Sequence, residues 1–197
     1  GRLDVLDKDG WWEQPASLEG DPVWRRHEAD FGGGGAQMYV YDFDGDGLND
    51  VVTSLDAHGY GLAWYRQLPG AGEGDSPRFE QQLIMGDASQ ESPYGVRFTQ
   101  IHAVELADMD GDGVQDIVAG KRYWAHGSTG DPEPDAPAVI YWFRTVRDGN
   151  GGVRFEPHLI DDDSGVGVQV VVKGVNGDGN LDVVIGNKRM AAVLLQQ

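Results

Sequence analysis

The residues best placed to do chemistry lie in Asp42-Phe43-Asp44-Gly45-Asp46-Gly47-Leu48-Asn49-Asp50. Four carboxylates stand at alternate or near-alternate positions, with glycines where the chain must bend back sharply. Ca²⁺ takes about six to eight oxygen ligands at roughly 2.3–2.6 Å and tolerates irregular geometry. The spacing assigns Asp42, Asp44 and Asp46 as the first three ligands and the Leu48 carbonyl as the fourth. Asp50 closes the cage from the other side.

The loop recurs. Asp108, Asp110, Asp112, the Val114 carbonyl and Asp116 take the same positions 66 residues later, and a third copy begins at Gly174 after another 66. In that copy Gly174 and Asn176 replace the first two aspartates while Asp178 and Asp182 remain, so Asn176, Asp178 and Asp182 form a site expected to bind weakly or stand empty. The opening Gly1-Arg2-Leu3-Asp4-Val5-Leu6 matches Gly179-Asn180-Leu181-Asp182-Val183-Val184, the tail of a fourth copy. An EF-hand is the rival spelling, but it needs a bidentate Glu where Thr53 and Ala119 stand, and helices where the flanks are β-branched. A solvated charged turn would not need to repeat.

The acids dominate the charge balance. Fifteen Lys and Arg against 33 Asp and Glu give a formal charge of −18, and the repeated loops hold 11 of those acids. Such a chain would approach phosphate against its own field, which argues against nucleic acid and anionic membrane surfaces as partners. No apolar run reaches the ~18 residues that span a bilayer. With no cysteine, disulfides say nothing of the compartment, but low-affinity calcium loops work where calcium is abundant. The expected location is therefore extracellular, at the cell surface, or periplasmic.

A periodic chain of this kind reads as a solenoid, propeller or array. Each loop sits between two β-branched or aromatic runs: residues 37–41 and 50–53, 102–106 and 116–119, 168–172 and 182–185. A third run carries a shared tryptophan (Trp11, Trp64, Trp142), and a fourth spans 24–29, 79–84 and 155–160. Each repeat is thus four strands, A to D, with the acidic loop joining A to B, which is the makeup of a β-propeller blade. The predicted fold is all-β. It has a partial blade at 1–31, full blades at 36–84 and 99–160, and a partial blade at 166–197. Two full and two partial blades point to part of a larger propeller of about seven blades, or to copies of the chain covering one another's open edges. Residues 69–74 and 148–152 are expected loop tips.

The pattern Asp-x-Asp-Gly-Asp-Gly-x-x-Asp followed by a short apolar strand resembles the FG-GAP/VCBS repeat family, over nearly the whole chain. The match is complete at 42–50 and 108–116. The resemblance implies the calcium loops of integrin-α-type β-propellers and a secreted scaffold for adhesion or for recognising proteins or glycans. Some relatives in that family are lectins, and some polysaccharide lyases and sugar dehydratases carry such propellers.

Because blade strands alternate in direction, the A–B loops share one face and the B–C and D–A loops the other. That second face should collect the insertions 85–98 and 122–138 with His58, His102, His126, Lys121, Arg122, Tyr123 and Trp124. Aromatic faces suit sugar rings and basic groups suit carboxylates. The chain is thus expected to be a calcium-binding recognition module. The alternative is a carbohydrate lyase or dehydratase using His102, His58 or His126 as base or metal ligand and Lys121 or Arg122 on the substrate. His27 and His158 recur at one strand position, as packing residues would, and the tryptophan series is expected between blades.

Overall fold

The computed structural model describes residues 2–70, 77–87, 89 and 92–197. Every element among them is a strand. The fourteen strands form four antiparallel sheets. The first holds β1 (Val5–Asp7), β2 (Gly10–Glu13) and β3 (Arg25–Glu28). The second runs in order through β4 (Met38–Tyr41), β5 (Asp50–Ser54), β6 (Leu62–Leu68) and β7 (Arg78–Met85). The third repeats it with β8 (Ala103–Ala107), β9 (Asp116–Gly120), β10 (Ile140–Arg147) and β11 (Val153–Asp161). The last holds β12 (Val170–Lys173), β13 (Asp182–Gly186) and β14 (Ala191–Leu194). These are the B–C–D, A–B–C–D, A–B–C–D and A–B–C sets read from the sequence, arranged like propeller blades. Of the expected loop tip at 69–74, residues 71–74 lie outside the described residues, as do 88, 90 and 91 of the 85–98 connection.

Alternation along the B strands builds the core. Val52 faces the third sheet, in a cluster with Trp64, Ile84, Ile117, Phe143 and Phe155, while its neighbour Val51 faces the first sheet with Phe31, Ala63 and Tyr65. In the next blade Ile117 and Ala119 join the former cluster and Val118 packs with Val170, Val183 and Ile185 of the last sheet. Successive side chains on a strand point to opposite faces, so strands buried on both sides read as unbroken apolar runs. The A strands of adjacent blades meet directly: the Tyr39 hydroxyl donates to Glu105 at 2.9 Å and the Val104 N–H to the Gln37 side chain at 2.8 Å.

Of the tryptophan series, only Trp64 is wholly enclosed. Trp11 and Trp142 are half-buried and lie flat on the histidines opposite them, His27 at 4.8 Å and His158 at 4.5 Å. The cross-strand register makes the pairs, Trp11 with His27 and Trp142 with His158, and the middle blade puts Gln82 opposite Trp64. Each histidine packs flat on a tryptophan, and His27 also meets Glu13 at 2.9 Å. The outer face of the last sheet leaves Val171, Val193 and Leu195 about half exposed.

The last aspartate of every motif does structural work. Asp50 accepts from the Phe43 N–H through one oxygen and from the Gln67 N–H through the other, at 3.0 and 2.8 Å. Asp116 binds Met109 and Thr145 in the same way, and Asp182 binds Val175 and Gln196. Asp4 keeps the second half, accepting from Gln14. Each carboxylate pins the start of its acidic loop to the C strand two positions across the sheet. Truncating it strands two backbone donors, and each buried unsatisfied group costs about 1–3 kcal/mol. Asp116→Ala should therefore lose several kcal/mol in urea unfolding under chelator, while Asp178→Ala, on an exposed turn, changes stability by less than about 0.5 kcal/mol. Equal losses would remove the clamp from the account.

Candidate functional site

The acidic loops are two-part devices. Glycines make the turn: Gly45 and Gly47 sit at φ +79° and +87°, a left-handed backbone that side chains with a Cβ resist. Asp42 then folds inward, accepting from Gly45 at 2.7 Å, Asp46 at 3.1 Å and Gly47 at 3.0 Å. The result brings Asp42, Asp44 and Asp50 together, with one oxygen from each within 4.8 Å of the others. Asp108, Asp110 and Asp116 converge identically. Asp46 and Asp112 stay at the rim, where each accepts the N–H two residues on, from Leu48 and Val114.

Among the described residues the third copy forms no such group. There the Asn176 amide donates to Asp178 at 2.7 Å, and Gly174 supplies no carboxylate.

One feature of these loops escaped the sequence reading. Arg66 lies 2.5 Å from Asp44 and 3.7 Å from Asp46, and Arg144 lies 2.5 Å from Asp110 and 3.2 Å from Asp112. Both occupy the same C-strand position, two residues after the shared tryptophan. The corresponding position in the last blade is Leu195. A single guanidinium thus offsets part of each loop's charge, and the surplus is still negative. Asp108 retains a buried carboxylate oxygen with no hydrogen-bond partner. An all-oxygen, carboxylate-rich donor set with an unpartnered acceptor suits a hard divalent cation.

Neighbouring blades brace the loops. Arg147 donates to the Phe43 and Asp42 carbonyls at 2.8 and 2.5 Å, and Gln196 reaches the equivalent Met109 carbonyl at 3.1 Å.

At the opposite ends of the strands a second constellation assembles. His58 comes from the B–C loop of one blade, His126 from the B–C insertion of the next, and His102 from the residue before β8. His58 and His126 stack with centroids 4.5 Å apart, and His102 meets His58 edge-on at the same distance. His58 Nε2 is 3.1 Å from His102 Nε2, and Arg122 Nη1 is 3.0 Å from that same His102 nitrogen. Burial, with the Arg122 charge beside it, pushes His102 down to about 4. Asp131, which the sequence reading did not single out, joins the group. Its Oδ1 lies 3.2 Å from His58 Nδ1 and 2.8 Å from His126 Nδ1, and its Oδ2 accepts the His126 N–H.

Of the basic residues expected here, Arg122 reaches the cluster. Lys121 is buried and donates its ammonium to the Glu133 carbonyl, so it ties down the insertion. Gln100 was also missed. Fully buried at φ +60°, it accepts from the N–H groups of His102, Arg122 and Ala125. Among the described residues four non-glycine residues have positive φ, and three of them (Gln100, Trp124 and Glu133) belong to this region. Backbone strain of that kind persists only where surrounding contacts enforce it. Beside the cluster, Arg122, Tyr123, Trp124, Asp163 and Arg189 line a cavity of about 250 Å³.

The FG-GAP-like repeat family matches residues 42–119. That segment is similar to an FG-GAP-like repeat. It begins at the first carboxylate of one acidic loop and runs into the strand that follows the next, so it contains both converging triads. The matched segment also carries His58 and His102, while His126 and Asp131 lie just beyond it in the B–C insertion. No curated protein matches the chain.

Burial raises Asp50 and Asp116 from the usual 3.8 to about 6. The folded chain then binds these protons more tightly than the unfolded one, so stability falls relative to the protonated state as pH rises from ~4 through ~6. In chelator the melting temperature should rise as pH falls from 7 to 5, in the same direction as relief of the net charge. An Asp50→Asn, Asp116→Asn double variant should flatten that rise, as thermal scans across the range can establish.

Proposed function

We propose that the chain is a calcium-stabilised β-propeller module, working outside the cytosol, that recognises a protein or glycan on the face opposite its acidic loops. The observation that carries this reading is the convergence of Asp42, Asp44 and Asp50, repeated at Asp108, Asp110 and Asp116. One ion would be held in each loop, with Asp46 or Asp112 and the Leu48 or Val114 carbonyl completing the shell. The ion supplies charge compensation where one arginine is insufficient. The exposed Val171, Val193 and Leu195 fit a further blade, or a second copy, covering the last sheet. For the ligand, the cavity with Trp124 and Tyr123 stacked at 5.3 Å and Arg122 at its wall suits an acidic sugar or a carboxylate side chain.

A ligand at a thousand times its dissociation constant adds roughly 4 kcal/mol to folding stability. Calcium should therefore raise the melting temperature by on the order of 10 °C over chelator. Calorimetry should count two ions per chain, and Asp42→Asn and Asp108→Asn should each remove one. An unchanged melting curve and no binding heat would defeat the reading.

The histidine cluster favours a second reading, in which the same face belongs to a carbohydrate lyase or dehydratase. His102 would take the proton next to a uronate carboxylate and Arg122 would hold that carboxylate. Unsaturated products from uronate polysaccharides, lost in His102→Ala, would select this reading. Glycan binding without turnover would select the module.

A further inference from the structure

The ring nitrogens of the histidine cluster cannot all be satisfied by neutral imidazoles. Arg122 is a donor only, so the His102 Nε2 it faces at 3.0 Å must accept. His58 Nε2, 3.1 Å from the same atom, must then carry a hydrogen and donate. A neutral imidazole has one N–H, which leaves a lone pair on His58 Nδ1. That lone pair faces the Asp131 carboxylate at 3.2 Å, and Asp131 is enclosed, with its side chain 3% exposed. Two electron-rich atoms at that separation require a cation between them, either an extra proton on His58 or a metal ion.

We propose that His58, His126 and Asp131 form a binding site for a first-row divalent transition metal of the Zn²⁺ class. Their ligand atoms, two imidazole nitrogens and one carboxylate oxygen, lie within 4.8 Å of one another. Two histidines and a carboxylate are a donor set that Zn²⁺ or Fe²⁺ accepts and that Ca²⁺, which seeks oxygen, does not. The tautomer forced by Arg122 and His102 is the one a metal needs, with Nδ1 free to ligate and the remote N–H held by a neighbour. His102 thus acts as a positioning residue, orienting His58 through its ring. His58 and His126 are 40% and 59% exposed, so the fourth side of the site is open to solvent and to an oxygen ligand such as a sugar hydroxyl or a carboxylate. Gln100 and the Thr99 hydroxyl, bonded to the Pro132 carbonyl at 3.4 and 3.1 Å, fix the insertion that delivers Asp131. The site is separate in donors and in place from the acidic loops, and stands or falls without them.

The test uses the whole chain, stripped with chelator and returned to excess Ca²⁺ so that the acidic loops are loaded. Zn²⁺ titrated by calorimetry should bind at one equivalent, and Co²⁺ should develop visible ligand-field bands. His126→Ala, an exposed change whose metal-free melting curve should match the parent's, is expected to abolish both signals, as is His58→Ala. His102→Ala should weaken Zn²⁺ by about 10–100-fold, as losing an orienting partner does. Asp42→Asn and Asp108→Asn should leave Zn²⁺ binding unchanged while lowering calcium uptake. Absence of one-equivalent Zn²⁺ binding, or Zn²⁺ heats and Co²⁺ spectra unaltered in both His58→Ala and His126→Ala, would overturn the proposal and assign the cation to a proton on His58.

Discussion

The second, third and last sheets each depend on one buried carboxylate that serves two backbone donors. Asp50, Asp116 and Asp182 each accept from the loop that precedes their strand and from the C strand beside it, and Asp4 keeps the second of these bonds. Beyond Phe43 or Met109 at its start, a turn rich in glycine and aspartate has little apolar surface to bury and high conformational freedom to lose. Its order has to come from polar bonds, and buried N–H groups are expensive to leave unpaired. The carboxylate meets both needs and so sets where the A strand ends and the B strand begins. That explains why the last aspartate persists in the third copy, where the first two are gone.

The same anchor creates an electrostatic difficulty. Closing the loop draws Asp42 and Asp44, or Asp108 and Asp110, against the anchoring carboxylate. Arg66 and Arg144 relieve part of the repulsion from the neighbouring strand. Calcium would relieve the rest, and the loop would then couple ion binding to the docking of adjacent blades through Arg147 and Gln196. Stability and the proposed cation binding would therefore rest on the same atoms.

The opposite face follows other rules. Its polar groups come from segments that differ between blades, so no repeated contact orders them. They are held by connectors that cross back over the B–C loops: Gln100 bonds to Gly59, and Val166 pairs with Lys121. Strained backbone collects there, at Gln100, Trp124 and Glu133, held in place by these contacts.

Much was legible from the residues alone. The repeated aspartates gave the loops, and the apolar runs after them gave the strands to within a residue or two, because spacing along the chain sets both. The three-stranded sheets at the chain ends were readable for the same reason. The sequence also placed His58, His102 and His126 on one face, since strand direction alternates. It could not give Asp131, which lies in an irregular insertion with no period, nor Gln100, whose importance is a single backbone angle. Nor could it separate Arg122, which reaches the cluster, from Lys121, which turns into the protein. The charge partners Arg66 and Arg144 were visible as a repeat, but their meeting with the loops is a cross-strand contact. Local spacing determined the blades and the acidic loops because those interactions run between near neighbours. Tertiary structure alone decided the histidine cluster, because its members lie up to 73 residues apart and meet only when two blades pack.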